Sequence, residues 1–126
     1  MTNTPFATGI HQIAIPCRDL ARGVAFYRDA LGLPFLFETN GLAFFMCGSV
    51  RLMLSIPEKQ EHAVSSILYL GTNDIQGATE SLRAKGVKIE ADAHLIANLG
   101  RVEVWLSHWL DSEGNLMAYM QEKPIA

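Results

Sequence analysis

One pattern of residues occurs twice in the chain, and it limits the possible folds more than any other feature. The first copy spans residues 11–34 and begins with alternating apolar residues, which are typical of a strand. Asp19 stands at a position suited to cap the N-terminus of a helix, and Gly32 at a position suited to end it. The buried stripe of this predicted helix consists of Leu20, Val24, Tyr27 and Leu31.

The second copy spans residues 65–89, with Asp74 as the cap and Gly86 as the terminating glycine. The spacing from cap to glycine agrees between the two copies to within one residue. Internal repetition of this kind dictates the architecture of a chain. The sequence therefore predicts an α+β fold of two β-α-β-β-β modules, with helices near residues 20–31 and 75–85.

Turn signals between the apolar segments locate the other strands. The pair Asn40-Gly41 is a strong signal for a two-residue hairpin turn. The polar segment after the fourth predicted strand separates the two copies of the pattern. We interpret residues 1–126 as a single domain, with module one at about residues 9–56, a linker at 57–62 and module two at about residues 63–121.

Charge and cysteine content restrict the classes of partner and compartment. The net charge of −3 comes from interspersed acids and bases, so nothing indicates binding to nucleic acid or to an anionic membrane. The N-terminus lacks the pattern of a signal peptide, and no segment is long enough to span a bilayer. Cys17 and Cys47 have neither metal-binding nor redox spacing, which favours buried, reduced thiols in a cytoplasmic protein.

The order and spacing of four segments resemble the vicinal oxygen chelate superfamily, which includes glyoxalase I, bleomycin-resistance proteins and extradiol dioxygenases. The segments are HQIAIPCRDL, FYRDALGLP, NDIQGATESLRAKGV and DSEGNLMAYMQE, and together they extend over almost the whole chain. The resemblance implies eight strands in a curved mixed sheet around a cleft, with the helices outside. It also implies a homodimer, since members of this length usually dimerise.

Metal-dependent members of that superfamily hold a divalent ion with four side chains that point into the cleft. The resemblance places these positions at His11, Leu52, Ile67 and Ala118. Only the imidazole of His11 is a competent ligand, whereas a catalytic metal site needs about three protein ligands. We therefore expect neither a metal nor another cofactor.

Alternation along the strands predicts instead an apolar cleft suited to a small apolar or aromatic ligand. The polar groups expected in it are His11 and the hydroxyl of Tyr69. The apolar side chains expected to line it are Leu52, Leu54, Ile67, Leu116, Ala118 and Met120.

Two tryptophans lie with an acid on one face of a later strand. Alternation places Glu103, Trp105 and Trp109 on the same side. We interpret the tryptophans as core or dimer-interface residues, with a ligand-stacking wall as the alternative. The turn DSEGN at residues 111–115 replaces the Asp-Pro-Asp-Gly-Asn more common in the superfamily; we interpret it as structural and slightly looser.

Three classes of function follow from these features. The first is a metal-free protein that binds a small molecule. The second is a lyase, isomerase or dioxygenase with a non-standard metal site that includes His11. The third is a metal-independent enzyme with His11, Tyr69 or Glu103 as general base.

Overall fold

The computed structural model describes residues 6–58 and 64–125, in which two helices and eight strands alternate in the predicted order. Most of the predicted linker lies outside the described residues. The elements are β1 (Gln12–Pro16), α1 (Leu20–Ala25) with a following π-helical turn (Phe26–Ala30), β2 (Phe35–Thr39), β3 (Leu42–Cys47), β4 (Val50–Ser55), β5 (Leu68–Gly71), α2 (Ile75–Ala84), β6 (Ile89–Asn98), β7 (Val102–Leu110) and β8 (Leu116–Pro124).

The strands form two four-stranded sheets of identical topology. Sheet 1 has the order β1-β4-β3-β2 and sheet 2 the order β5-β8-β7-β6. In each sheet the first pair is parallel and the other two pairs are antiparallel. The predicted α+β class and the twofold repeat of β-α-β-β-β are thereby confirmed. None of the helices among the described residues is long and apolar enough to cross a membrane.

Both helices begin at the predicted aspartates. The Asp19 carboxylate accepts a hydrogen bond from the backbone N–H of Arg22 at 3.1 Å, and Asp74 accepts one from Gly77 at 3.0 Å. Each bond satisfies one of the free N–H groups in the first helical turn. The predicted Asn40-Gly41 hairpin is also present, with positive φ at both residues as a tight two-residue turn requires.

Helix α1 packs very closely against sheet 1, and Gly23 permits the approach. An ideal Cβ at Gly23 would lie 2.5 Å from the Cys17 Sγ and 3.1 Å from the Leu54 Cδ1. Both of these neighbours are fully buried. Gly23 is therefore required by packing and not by backbone conformation.

The π-helical turn after α1 carries aromatic side chains into a core shared by the two modules. The backbone N–H of Leu31 donates to the Phe26 carbonyl at 2.8 Å, which is the wider hydrogen bond of a π turn. The Phe26 ring lies 6.1 Å from the ring of Trp109, which belongs to β7 in the second module. Tyr27 packs against Phe45 of β3, with 5.8 Å between ring centroids.

The turn between β7 and β8 joins the two modules through a buried carboxylate. Asp111 accepts hydrogen bonds from the Tyr27 hydroxyl at 2.7 Å and from the Asn115 amide at 2.9 Å. It also accepts from the backbone N–H groups of Glu113 and Asn115, both at 2.8 Å. Burial and the charge of Asp111 raise the pKa of the Tyr27 hydroxyl well above 10, so this group remains a donor.

Glu113 in the same turn completes the N-terminus of α1. Its carboxylate accepts from the backbone N–H groups of Arg18 and Asp19 at 2.9 and 3.0 Å, and from the Arg22 guanidinium at 2.8 Å. Burial alone raises the pKa of Glu113, but the hydrogen bonds from these groups and from Ser112 outweigh it and lower the pKa to about 2. The glutamate that replaces the second aspartate of the more common turn therefore ties this turn to the helix.

Substitution of Gly23 by alanine should lower stability, although glycine to alanine in a helix ordinarily raises it. The added Cβ overlaps the Cys17 Sγ, and we expect a loss of about 1–3 kcal/mol in the free energy of unfolding from overpacking. Urea unfolding measures this change in the free energy of unfolding. The double variant with Cys17→Ala opens space for the Cβ, so an equal loss in both backgrounds would contradict the packing explanation.

Substitution Glu113→Gln should lower stability most at neutral pH. The depressed pKa contributes stability that is complete above pH 4.5, the ordinary value, and disappears as the pH falls toward about 2. We expect the stability difference between wild type and variant to shrink by about 2 kcal/mol between pH 7 and pH 3. Urea unfolding across this range measures this difference. The control is Glu122→Gln, at an exposed glutamate that has no ion pair among the described residues, and it should leave the profile unchanged.

Candidate functional site

An apolar cavity of about 440 Å³ lies where the two modules meet. One wall comes from sheet 1 and the other from β5 and the residue before it. Because the Asp111 turn holds the modules together, the two walls of the cavity have a fixed position relative to each other. The lining residues are Ile13, Cys47, Val50, Leu52, Ile67, Leu68, Tyr69, Leu70 and Gly71.

Among the described residues that line the cavity, the polar side chains are those of Tyr69 and Cys47. Tyr69 is half-exposed and contributes the phenol hydroxyl. The Cys47 thiol is half-buried, and burial raises its pKa, so it stays protonated at neutral pH. Gly71 also lines the cavity, and an ideal Cβ there would meet no atom within 4 Å, so a larger side chain can be placed at its edge. No charged side chain is among the described residues that line the cavity, so its described surface suits an apolar molecule.

Three of the residues predicted to line a cleft, Leu52, Ile67 and Tyr69, do lie around this cavity. The prediction for Leu54 is wrong, because this side chain is fully buried beneath α1. Leu52 and Leu54 belong to the core face of sheet 1, the face that packs on α1 and on the second module. The opposite face of this sheet, here called the outer face, carries the alternate residues of each strand.

In sheet 2 the predicted alternation of β8 is observed. Leu116, Ala118 and Met120 share the face of Tyr69, and Ala118 is its direct register partner. Ala118 itself is fully buried. Met120 lines a depression of about 390 Å³ together with Tyr69. Leu116 lines another of about 450 Å³ with His108, whose ring meets that of Tyr69 edge-on at 6.4 Å between centroids.

The two tryptophans lie on the opposite face of sheet 2. Trp109 is fully buried against Phe26, so the prediction of a ligand contact is wrong there and its core alternative is correct. Trp105 is half-buried beneath the Lys123 ammonium, which lies 4.2 Å from its ring centroid. The Glu103 carboxylate accepts from the Trp105 indole N–H at 3.2 Å. None of these three side chains is among the described residues that line the cavity between the modules.

The three predicted acid–base residues do not form one site. Tyr69 lies at the cavity, whereas Glu103 is on the other face of sheet 2 beside Trp105. His11 precedes β1, is exposed, and contributes its backbone carbonyl to the Arg51 N–H at 3.2 Å. His108, not His11, is the histidine that the fold brings close to Tyr69.

The outer face of sheet 1 carries a cluster that the sequence analysis missed. The Arg51 guanidinium donates through Nε to the Gln12 side-chain oxygen at 2.7 Å, and its Cζ lies 5.6 Å from the Phe44 ring centroid. The Gln12 amide nitrogen approaches the Met53 sulfur at 3.5 Å. The signal in the sequence was a single arginine inside the apolar strand VRLMLS.

The residues at these strands do not fit a divalent metal ion. Gln12 shares the outer face of sheet 1, but its oxygen is already bound by the cationic Arg51 group. The positions expected from the resemblance at Leu52, Ile67 and Ala118 carry no coordinating atoms. Within residues 6–58 and 64–125, no three His, Cys, Asp or Glu side chains converge as metal ligands would.

Comparison with known sequences identifies one matching family. The sequence model of the Glyoxalase/Bleomycin resistance protein/Dioxygenase superfamily matches residues 9–119. The chain matches no curated protein at a significant level.

Comparison with solved structures shows the same fold. A member of the glyoxalase/bleomycin resistance protein/dioxygenase superfamily from Sphaerobacter thermophilus DSM 20745 aligns with TM-score 0.78 and 17% identity, over 94% of this chain and 100% of that chain. Lactoylglutathione lyase from Agrobacterium tumefaciens aligns with TM-score 0.72 and 21% identity, over 91% of this chain and 94% of that chain. TnmS3, an antibiotic binding protein from Streptomyces sp. CB03234, aligns with TM-score 0.75 and 16% identity, over 95% of this chain and 100% of that chain. At these identities the likeness concerns the fold.

Proposed function

Because the chain belongs to the glyoxalase/bleomycin resistance protein/dioxygenase superfamily, a family of varied chemistry, we propose its function from its own side chains. We propose that it binds a small apolar or aromatic molecule in the cavity between the modules, without a metal or other cofactor. The observation that carries this proposal is the apolar lining of that cavity.

The dimensions and chemistry of the cavity support a small ligand. Its volume of about 440 Å³ lies within the roughly 300–1,000 Å³ typical of small-molecule sites. Leu52 and Ile13 supply apolar surface from one module, and Ile67 and Leu70 supply it from the other. The Tyr69 hydroxyl offers one hydrogen bond to orient a bound molecule. TnmS3 gives a precedent for this fold in an antibiotic binding protein.

The two enzymatic alternatives find less support among the described residues. A metal-dependent lyase, isomerase or dioxygenase would need ligands in addition to His11, and Leu52, Ile67 and Ala118 cannot supply them. A metal-independent enzyme would need a base held within hydrogen-bond reach of its substrate. The Tyr69–His108 pair is the arrangement that comes nearest to this requirement, with 6.4 Å between its ring centroids.

We further propose a cytoplasmic homodimer. Two unpaired cysteines, Cys17 and Cys47, fit a reducing compartment. The exposed side chains of the edge strands β2 and β6 and of the turn after β6 are unusually apolar, and exposed edges of this kind are usually covered. Their large apolar residues are Phe35, Leu36, Phe37, Leu95, Ile96 and Leu99. Trp105 and Trp109 do not contribute to this apolar surface.

Filling the cavity should abolish binding while the fold is kept. Gly71→Leu places a side chain in open volume at a glycine whose backbone is not in the left-handed region. With the neutral probe 2-naphthol, we expect calorimetric affinity at least about tenfold weaker than for wild type, a loss near 1.4 kcal/mol.

The smaller Gly71→Ala is the matched control, and it should bind 2-naphthol within about twofold of wild type. Circular dichroism verifies that both variants are folded. Wild-type affinity in folded Gly71→Leu would contradict the proposed site, since a filled cavity cannot hold the probe.

Light scattering should give twice the chain mass of 13.9 kDa at micromolar concentration. A charge placed in the covered edge should dissociate the dimer, because an unpaired charge in an interface costs several kcal/mol. Leu36→Asp and Ile96→Asp test the two edges separately, with Ser81→Asp on exposed α2 as the control. A monomeric wild type, or two aspartate variants that both remain dimeric, would contradict this proposal.

A further inference from the structure

A cavity of about 520 Å³ lies where the C-terminal ends of the two helices approach each other, and it is here called the helix-side groove. Its walls come from α1 with the π-helical turn, from the connection between α2 and β6, and from the turn between β7 and β8. Its apolar surface is supplied by Phe26, Ala30, Val87 and Leu110. The groove shares no described lining residue with the cavity between the modules, so it is a separate site.

The exposed charges around this groove are cationic. Its lining includes Arg22 from α1, Lys85 at the end of α2 and Lys88 before β6, and all three residues are exposed. Among the described lining residues the only carboxylate is that of Asp111, which is 5% exposed and accepts four hydrogen bonds. The side chain of Glu113, which pairs with Arg22, is 3% exposed. An anion that enters the groove therefore meets the cations first, with the carboxylates buried beneath them.

The ammonium group of Lys85 is held at the groove before a ligand arrives. It donates to the backbone carbonyls of Asp29 and Ala30 at 3.3 and 3.1 Å, which leaves one of its three N–H groups. Within residues 6–58 and 64–125, it forms no ion pair with a carboxylate. A positioned ammonium of this kind loses less conformational entropy when it binds an anion.

The other two cations also keep donors for a ligand. Lys88 lies 3.6 Å from the Glu90 carboxylate and its side chain is 73% exposed, so this ion pair is weak and can be exchanged for a ligand. Arg22 bonds to Glu113 through Nε and Nη2, and among the described residues its Nη1 has no acceptor. The groove therefore offers N–H donors from three separate cations.

We propose that the helix-side groove binds a phosphate monoester of a small apolar or aromatic alcohol. The phosphate oxygens accept hydrogen bonds from the three cations, and the apolar group of the ligand lies against the apolar surface of the groove. The site lies on the side of the sheets that the helices cover, away from the edge strands β2 and β6. It does not depend on the function proposed for the cavity between the modules.

Charge and shape favour a phosphate monoester over other anions. Such a group carries close to two negative charges at neutral pH and three acceptor oxygens, which suit several separate cations. A carboxylate suits a single guanidinium fork, and the fork of Arg22 is already occupied by Glu113. Inorganic phosphate would leave the apolar surface of the groove in contact with water.

The experiment titrates 2-naphthyl phosphate into the protein at neutral pH and measures its affinity by calorimetry. Lys85→Met and Lys88→Met each keep an apolar stem and remove one charge, and we expect each to bind this probe at least about fivefold more weakly than wild type. Arg101→Met removes an exposed cation outside the groove, and as the matched control it should bind within about twofold of wild type. Inorganic phosphate should bind to wild type at least about tenfold more weakly than the probe.

The same titration in Gly71→Leu separates the groove from the cavity. We expect affinity for the probe to persist there, because the substitution lies outside the groove. Loss of probe binding in folded Gly71→Leu would overturn the proposal, since the probe would then occupy the cavity.

Three further results would also overturn it. They are wild-type affinity in both folded lysine variants, an equal loss of affinity in Arg101→Met, and inorganic phosphate that binds as tightly as the probe. Circular dichroism verifies that each variant is folded. If Lys85→Met does not fold without its two bonds to the π-helical turn, the affinity of Lys88→Met decides alone.

Discussion

The arrangement of the two modules depends on the buried carboxylate of Asp111. A buried charge is costly unless hydrogen bonds satisfy it, and Asp111 has four donors, one of which is the Tyr27 hydroxyl of the other module. This requirement fixes the turn after β7 against the π-helical turn after α1. The shared aromatic core and the cavity between the modules both rely on that relation, because each takes residues from both modules.

The repeat, the helix termini and the hairpin could be predicted because their signals are local. Asp19 and Asp74 cap helices by reaching backbone groups three residues away, and the Asn40-Gly41 turn follows from the φ values that these two residues tolerate. The role of Glu113 was not predictable in this way. Its partners Arg18, Asp19 and Arg22 are more than ninety residues distant in sequence, and only the packing of the modules brings them together.

The faces of the strands were the least predictable feature of the site. Alternation divides a strand such as β4 into two sets of residues, but it does not tell which set meets the core. The apolar set with Leu52 and Leu54 was assigned to an open cleft, whereas packing of α1 and of the second module covers it. The set with Arg51 therefore faces outward. A lone charge within an apolar strand was the local clue to this orientation.

The π-helical turn after α1 contains an extra residue, and that residue affects the direction of the chain. A π turn contains one residue more than the α turn it replaces, and one residue corresponds to a rotation of about 100° around the helix axis. The segment Phe26–Ala30 thus sets the direction in which the chain leaves α1 toward β2. Removal of a single residue here, such as the exposed Arg28, would rotate the residues that follow it by about 100° around the helix axis. The number of residues between α1 and β2 therefore sets the angle at which the chain enters sheet 1.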